Sequence, residues 1–109
     1  MVAAKPGRIV LVTCESMRQA RQIANAVVEK RLAACVNILG GAMQSIYRWK
    51  GSVETAKEIL IAIKTTATRL DELEKEVKRL HSYDVPEFVV LPIVAGSKEY
   101  LRWLQDSVM

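Results

Sequence analysis

A single histidine, two cysteines and a nearby glutamate are the side chains of this chain best suited to bind a metal ion. His81 is the only histidine, and Glu87 follows it in the same predicted loop, while Cys14 ends a predicted strand. Imidazole, thiolate and carboxylate together suit Cu(II), zinc or another divalent ion. We therefore predict His81, Cys14 and Glu87 as candidate metal ligands. The alternatives are a hydrogen bond at a helix end for His81 and a buried structural thiol for Cys14.

A second candidate site depends on two charged residues in an otherwise apolar strand. Glu58 and Lys64 lie on the same predicted face, with Leu60 and Ala62 between them at strand spacing. Charges on an apolar strand must be paired or must line a cleft. The pattern predicts either a salt bridge at an interface or a ligand cleft between subunits. Such a cleft would bind a small anion or a metal complex, with Glu87 and Tyr83 nearby.

The sequence contains no recognisable arrangement of catalytic residues. There is no Ser-His-Asp order, no glycine-rich phosphate loop and no His-Glu-x-x-His motif. Cys14 precedes a predicted helix N-terminus that would lower the pKa of its thiol, and this makes it the more reactive cysteine. Cys35 begins the next strand and is predicted to be a buried structural thiol. We expect a binding protein rather than an enzyme, and rank an enzyme using Cys14 or His81 last.

The elements that must position these residues follow from the hydrophobic periodicity. Their order predicts an α+β, ferredoxin-like β-α-β-β-α-β sandwich with an extended hairpin and a C-terminal helix. Right-handed crossovers put both main helices on one face of an antiparallel sheet with strand order 4-1-3-2. The segments are a strand over 8–14, a helix capped by Ser16 and Gln19, a hairpin over 35–65, a helix capped by Thr68, a strand over 87–94 and a short helix opened by Gly96 and Ser97 with Tyr100, Leu101 and Leu104 inward.

The hairpin is too long for the domain that carries it. Its first arm begins at Cys35, breaks at Gly40-Gly41 and resumes over Ala42 to Trp49, and its second arm runs from Val53 to Thr65. An arm of this length spans roughly 45 Å, whereas a compact domain of this size is only about 34 Å across. The tip must therefore project.

A projecting two-stranded ribbon is not stable alone in water. The inner part of its second arm is also apolar on both faces, although both main helices lie on one face only. We therefore expect contacts with other subunits, anchored by Tyr47 and Trp49 at the tip and by Trp103 in the last helix. Cys14 and Cys35 fall on strands separated by a third, roughly 10 Å apart, which is beyond disulfide reach.

Length and composition indicate one domain with ordinary globular content. Of the 109 residues, 50% are hydrophobic and 26% are charged, which is typical of a soluble domain. We predict a disordered lead-in over 1–7 and a single domain over 8–109. No apolar run is long enough to span a membrane and no signal peptide is recognisable, so a cytoplasmic location is expected. The net charge of +4 comes from basic residues mixed with acidic ones, which argues against a nucleic-acid partner.

Five stretches of this chain are distinctive when taken together. They are Glu-Lys-Arg-Leu-Ala-Ala-Cys-Val-Asn over 29–37, Ser-Ile-Tyr-Arg-Trp-Lys-Gly over 45–51, Ile-Lys-Thr over 63–65, His-Ser-Tyr-Asp-Val-Pro-Glu over 81–87 and Tyr-Leu-Arg-Trp over 100–103. In this order they resemble the CutA family of divalent-ion tolerance proteins. The resemblance implies a homotrimer of ferredoxin-like subunits, similar in shape to the PII signalling proteins, and a link to copper and other divalent ions. Copper-binding bacterial members have two adjacent histidines where this chain has Leu80 and His81. The alternative function is a PII-like sensor that binds a small anionic ligand between subunits.

Overall fold

A four-stranded antiparallel sheet with two helices on one face forms the body of the molecule. The computed structural model describes residues 1–41 and 43–109. The sheet order β3-β6-β2-β7 is the predicted ferredoxin-like order, which is thereby confirmed. The elements are β1 (Val2–Ala3), β2 (Gly7–Cys14), α1 (Met17–Glu29), β3 (Cys35–Leu39), β4 (Gln44–Trp49), β5 (Ser52–Lys57), β6 (Ile59–Thr66), α2 (Leu70–Leu80), β7 (Val89–Pro92), β8 (Ala95–Gly96) and α3 (Lys98–Ser107).

The core lies between the sheet and the two main helices. Alternate residues of the central strands, Val10 and Val12 in β2 and Ile61 and Ile63 in β6, are completely buried. They point to one face of the sheet because successive side chains in a strand alternate between faces. The helical residues that pack against them are Ala20, Ile23 and Val27 of α1 and Leu73 and Val77 of α2.

Two of the three helices begin at the capping residues that the sequence predicted. The Ser16 hydroxyl accepts a hydrogen bond from the Gln19 N–H at 3.1 Å, which confirms the predicted cap of α1. Ser97 caps α3 in the same way. The prediction that Thr68 caps α2 is wrong, because residues 67–69 form a separate 3₁₀ turn and α2 begins only at Leu70. Thr68 therefore lies inside that turn.

The long hairpin is divided into a sheet half and a projecting half. Strands β4 and β5 form a separate two-stranded ribbon, joined to β6 through the single residue Glu58. The ribbon turns at Lys50 and Gly51, both with positive φ, as a tight hairpin turn requires. The molecule measures 44 × 25 × 24 Å, so the predicted projection of the tip is confirmed. The predicted resumption of the first arm at Ala42 lies outside the described residues.

The second face of the sheet is covered in part by α3, whereas the sequence predicted no cover from within the chain. Leu104 of α3 is only 2% exposed, and Lys64 of β6 donates a hydrogen bond to the Tyr100 hydroxyl at 3.3 Å. The Arg31 guanidinium donates to the carbonyls of Asp106 and Ser107 at the end of α3. Tyr100 itself is 40% exposed, so it is not the inward residue that was predicted.

Apolar side chains remain exposed on the second face and at both edges of the sheet. Leu91 and Val89 of β7 stand opposite Ile9 and Leu11 of β2, away from the main helices. Val89 is 47% exposed, and Leu39 on the other edge strand is 50% exposed. Exposed apolar side chains on a sheet face favour burial against another chain. Unpaired edge strands also favour association with another chain.

The first seven residues differ from the expected disordered lead-in. Val2–Ala3 pairs with Ala95–Gly96 as a short two-stranded sheet. The Ala4 N–H donates to the Val94 carbonyl at 3.1 Å, and Ala4 is buried. Gly7 already belongs to β2. The segment is ordered because the chain after β7 supplies partners for its backbone, and a local reading of the sequence does not reveal those partners.

Glu76 links the ends of the two main helices. Its carboxylate, on α2, lies 2.7 Å from the Lys30 ammonium at the end of α1 and 2.9 Å from the Arg79 guanidinium. Hydrogen bonds from Arg79 and then from Lys30 lower the pKa of Glu76 from 4.5 to about 2. The depressed pKa means that the stability from this carboxylate is present above pH 4.5 and is lost as the pH falls through about 2.

Replacing Glu76 by glutamine is expected to lower the free energy of unfolding by about 1–2 kcal/mol at neutral pH. The variant should also lose part of the acid sensitivity of the wild type between about pH 5 and pH 2. Urea unfolding at one fixed protein concentration measures both effects. Glu74→Gln is the matched control, because the Glu74–Lys78 pair is largely exposed and should contribute little. Equal losses in the two variants would contradict the role given to Glu76.

Candidate cation-binding groove

A groove with a volume of about 770 Å³ lies between the ribbon and the loop that follows α2. One wall comes from the ribbon and the other from the loop, while the ends of the sheet strands form the floor. The two walls meet at Glu58, where β5 ends and β6 begins. The lining residues are Thr13, Ser45, Ile46, Tyr47, Trp49, Glu58, Ser82, Tyr83, Asp84, Val85, Pro86 and Glu87.

Glu58 is held at the junction of ribbon and sheet by its backbone and its side chain. Its N–H donates to the Met43 carbonyl at 3.1 Å, across the two arms of the hairpin. Its carboxylate Oε2 accepts a hydrogen bond from the Tyr83 hydroxyl at 2.8 Å. Although Glu58 is only 8% exposed, its side chain lines the groove. The structure thus brings together three residues, Glu58, Tyr83 and Glu87, that the sequence predicted for one ligand cleft.

The lining of the groove is acidic. Asp84 and Glu87 join Glu58, and no lysine or arginine lines it within residues 1–41 and 43–109. Burial, and then the negative charge of Glu58, raise the pKa of Glu87. Burial and the hydrogen bond to Glu58 raise the pKa of Tyr83, so its hydroxyl remains a neutral donor. A bound cation would offset the repulsion between these carboxylates.

Lys64 lies away from the groove, although the sequence predicted it for the same cleft. It stands opposite Ile9 and Cys35 in the sheet, and its ammonium contacts Tyr100 on α3. Six residues separate it from Glu58, which corresponds to roughly 20 Å along an extended strand. The two side chains were correctly assigned to one face, but their distance along the strand prevents a shared site.

His81 is engaged at both ring nitrogens. Its Nε2 lies 2.8 Å from the Thr13 carbonyl, and its Nδ1 accepts the Tyr83 N–H at 3.1 Å. This pattern requires the proton to be on Nε2, since a carbonyl can only accept. The ring is 9% exposed and packs against the Tyr83 ring at 4.7 Å between centroids. These contacts match the alternative of a hydrogen bond at a helix end, with no ring nitrogen left for a metal.

The two cysteines are both free, and the prediction that they are not bridged is confirmed. Cys14 is fully buried. Burial, and then the charge of Glu58, raise the pKa of its thiol to about 11. The prediction that the helix N-terminus lowers this pKa is therefore wrong, because burial and the nearby negative charge both disfavour the thiolate that binds metals. Cys35 is half-buried rather than buried, with its Sγ 3.6 Å from the Tyr100 hydroxyl.

The sequence model of a family described as CutA1 divalent ion tolerance protein matches residues 8–107. The chain belongs to the CutA family. It is 52% identical over 99 residues to the divalent-cation tolerance protein CutA of Thermus thermophilus, covering 91% of this chain and 95% of that one. It is 43% identical over 102 residues to the chloroplastic CutA protein of Arabidopsis thaliana, covering 94% of this chain and 56% of that protein.

Solved CutA structures have the same fold. The Thermus thermophilus structure superposes with a TM-score of 0.92 at 50% identity, covering 94% of this chain and 99% of that chain. A structure from Archaeoglobus fulgidus, described as a periplasmic divalent cation tolerance protein, gives 0.89 at 37% identity and the same coverage. Relatives this similar carry the name of divalent-cation tolerance proteins, and they share both the family and the fold of this chain.

The metal ligands predicted from sequence do not assemble into a metal site in this CutA chain. Among the residues that the structure describes, no group of three or more His, Cys, Asp or Glu side chains could hold a metal ion. His81 is engaged, and the Cys14 thiol is protonated, so a copper site built on these two does not fit. Glu87 does line the groove together with Glu58. Two carboxylates are enough for a hard divalent ion that keeps several waters.

Two aromatic residues of the CutA ribbon, predicted only as interface anchors, also line the groove. Tyr47 is 45% exposed and Trp49 is 41% exposed. The third predicted anchor, Trp103, lies on α3 outside the groove and packs against Tyr100 at 5.4 Å between centroids. Asp84 was missed as a groove residue, although its place in the His-x-Tyr-x-x-Pro-Glu loop was a signal that could have indicated it.

Proposed function

We propose that this CutA chain acts in divalent-cation tolerance as a binding protein whose groove binds the cation. The observation that carries the proposal is the charge of the lining. Glu58, Asp84 and Glu87 face the groove, and none of the lysine or arginine residues in the described part of the chain does. Coulomb attraction in a partly desolvated cleft therefore favours a cation over an anion.

The proposed ligand is a hard divalent ion held through carboxylate oxygens, in place of the Cu(II) expected with imidazole and thiolate ligands. Glu58 and Glu87 would supply the protein ligands, and water would complete the coordination shell. His81 would act indirectly, because its Nδ1 holds the Tyr83 backbone and Tyr83 in turn holds the Glu58 carboxylate. This arrangement replaces the predicted set of His81, Cys14 and Glu87 by one in which only Glu87 is retained.

Replacing Glu58 by glutamine is expected to weaken divalent-ion binding at least about tenfold, which corresponds to about 1.4 kcal/mol. Titration calorimetry with Mn(II), Zn(II) and Cu(II) would measure the affinity, and Glu87→Gln should weaken it in the same direction. Glu54→Gln is the matched control, because Glu54 is an exposed residue of the ribbon that does not line the groove. Unchanged affinity in Glu58→Gln and Glu87→Gln would overturn the proposal.

The proposal includes a homotrimer. The resemblance to the CutA family, whose shape is similar to that of the PII proteins, implies three subunits. The exposed apolar face, the unpaired edge strands and the projecting ribbon support association between chains. Because Tyr47 and Trp49 line the groove of their own chain, the anchoring role passes mainly to Leu39, Val89 and Leu91. Trp103, 45% exposed on α3, remains a predicted interface residue.

The alternative function, PII-like sensing of a small anionic ligand, finds less support in the groove. Lys64, the cation proposed to bind that ligand, already contacts the hydroxyl and the ring of Tyr100. An anion placed beside Glu58 and Glu87 would be repelled by both. Any site for an anion would therefore have to lie near Lys64 and α3, at a distance from the groove along strand β6.

Binding rather than catalysis also fits the state of Cys14, whose buried thiol has its pKa raised to about 11.

Within residues 1–41 and 43–109, no helix has the length and apolar character needed to cross a bilayer. The cytoplasmic location and the absence of a nucleic-acid partner stay predictions. Relatives differ in location, since the Arabidopsis thaliana protein is called chloroplastic and the Archaeoglobus fulgidus structure periplasmic.

A further inference from the structure

The groove is much larger than a bare metal ion requires. Its volume of about 770 Å³ falls in the range of pockets for small organic ligands, roughly 300–1,000 Å³. One wall consists of the half-exposed rings of Tyr47 and Trp49. A hydrated metal ion gains little from these rings, so the size and the aromatic wall together indicate a ligand with a carbon skeleton.

The charge on the floor of the groove indicates the sign of that ligand. Glu58 is more than nine-tenths buried, and within the described residues its carboxylate meets only the neutral hydroxyl of Tyr83. Aromatic faces also attract cations. Trp49 already does so within the chain, since the Lys50 ammonium lies 5.8 Å from the centre of its ring. Carboxylates below and aromatic rings beside them form a suitable environment for an organic cation.

We propose that the groove binds a small organic cation of the polyamine class. Its ammonium group would pair with Glu58 and Glu87, and its methylene chain would lie along Tyr47 and Trp49. This inference depends on the proposed function, because it uses the same groove and the same carboxylates. It goes beyond that function in the ligand, since ring contacts would select an organic cation over a metal ion.

Such a ligand would also fix the ribbon relative to the sheet. Tyr47 and Trp49 belong to the ribbon, whereas Tyr83 and Glu87 belong to the body. Between β5 and β6 the two parts are joined by the single residue Glu58, which lies in neither strand. A molecule that contacts both walls therefore restrains the angle between them, and the environment of Trp49 should change when it binds.

The test uses spermidine and Mn(II) as separate probes of the full chain. The chain has two tryptophans, so Trp103→Phe leaves Trp49 as the only one for fluorescence. Spermidine should change the Trp49 emission in a saturable manner, at ionic strength held constant with KCl. By calorimetry, Glu58→Gln should weaken spermidine binding at least tenfold. Trp49→Leu should weaken spermidine several-fold and leave Mn(II) affinity unchanged, and Glu54→Gln should change neither.

The outcomes separate this inference from the proposed function. Mn(II) binding that depends on Glu58, with no spermidine binding, would overturn the inference and leave the proposed function standing. Spermidine binding that depends on Trp49, with no divalent-ion binding, would support the inference and overturn the proposal that the groove binds a divalent ion. Spermidine affinity that is equal in wild type, Glu58→Gln and Trp49→Leu would show general charge attraction and overturn the inference. Circular dichroism of each variant would verify that it is folded.

Discussion

Replacing Leu91 by glutamate is expected to separate the proposed trimer into single chains. Leu91 lies in the edge strand β7, opposite Ile9, on the sheet face away from α1 and α2. It is 41% exposed in the single chain, and a trimer that uses this face would bury the rest. A carboxylate at that position would have to be desolvated without a partner in three interfaces at once, at a cost of several kcal/mol each.

Val28→Glu is the matched control for this prediction. Val28 lies on α1 and is 39% exposed, so the two substitutions introduce the same charge at similar exposure in a single chain. Light scattering at micromolar concentration should give a trimeric mass for wild type and Val28→Glu, and about one third of it for Leu91→Glu. A single-chain mass for the wild type would contradict the trimer. A trimeric mass for Leu91→Glu would show that the interface lies elsewhere.

The parts of the fold that the sequence predicted well are those that depend on local periodicity. The apolar runs around Val10 and Ile61 predicted two central strands, and the β-α-β-β-α-β order then determined the sheet topology through the handedness of the crossovers. The projecting ribbon followed from its length alone, since roughly 45 Å of strand exceeds the width of the domain. The observed long dimension of 44 Å agrees with that simple argument.

The predictions that failed depend on groups that are distant in sequence. Burial, together with the charge of Glu58, sets the pKa of Cys14, although the sequence neighbour of Cys14 is a helix N-terminus. The partners of the N-terminal residues come from the segment after β7. Thr68 was misassigned for a different reason, because the 3₁₀ turn before α2 moves the cap by one residue, to Arg69.

The sequence grouped Glu58, Tyr83 and Glu87 in one cleft, but it added Lys64 to them and missed Asp84. Glu58, Tyr83 and Glu87 were each identified, because a charge in an apolar strand and a distinctive loop motif are visible in the sequence. Their meeting in one groove depends on the angle at which the ribbon leaves the sheet at Glu58, and no local pattern encodes that angle. Strand alternation alone placed Lys64 beside Glu58, whereas the structure places it near Tyr100.

Replacing His81 by alanine is expected to lower the free energy of unfolding by about 2–4 kcal/mol in metal-free buffer. The substitution leaves the Thr13 carbonyl and the Tyr83 N–H without their observed partners. It also removes a ring that is only 9% exposed and that packs against the Tyr83 ring. Unpaired buried polar groups and a new cavity both destabilise the native state. Urea unfolding at fixed protein concentration measures the loss.

Ser82→Ala is the control for the same loop, because its hydroxyl makes only a long hydrogen bond of 3.4 Å to Gln19, and its loss should cost less than about 1 kcal/mol. The two possible roles of His81 make opposite predictions. A metal ligand would leave the stability of the metal-free protein nearly unchanged when it is removed, whereas a residue that holds the loop would destabilise it. Because Tyr83 also holds Glu58, the structural role predicts in addition that weaker cation binding in His81→Ala accompanies the loss of stability.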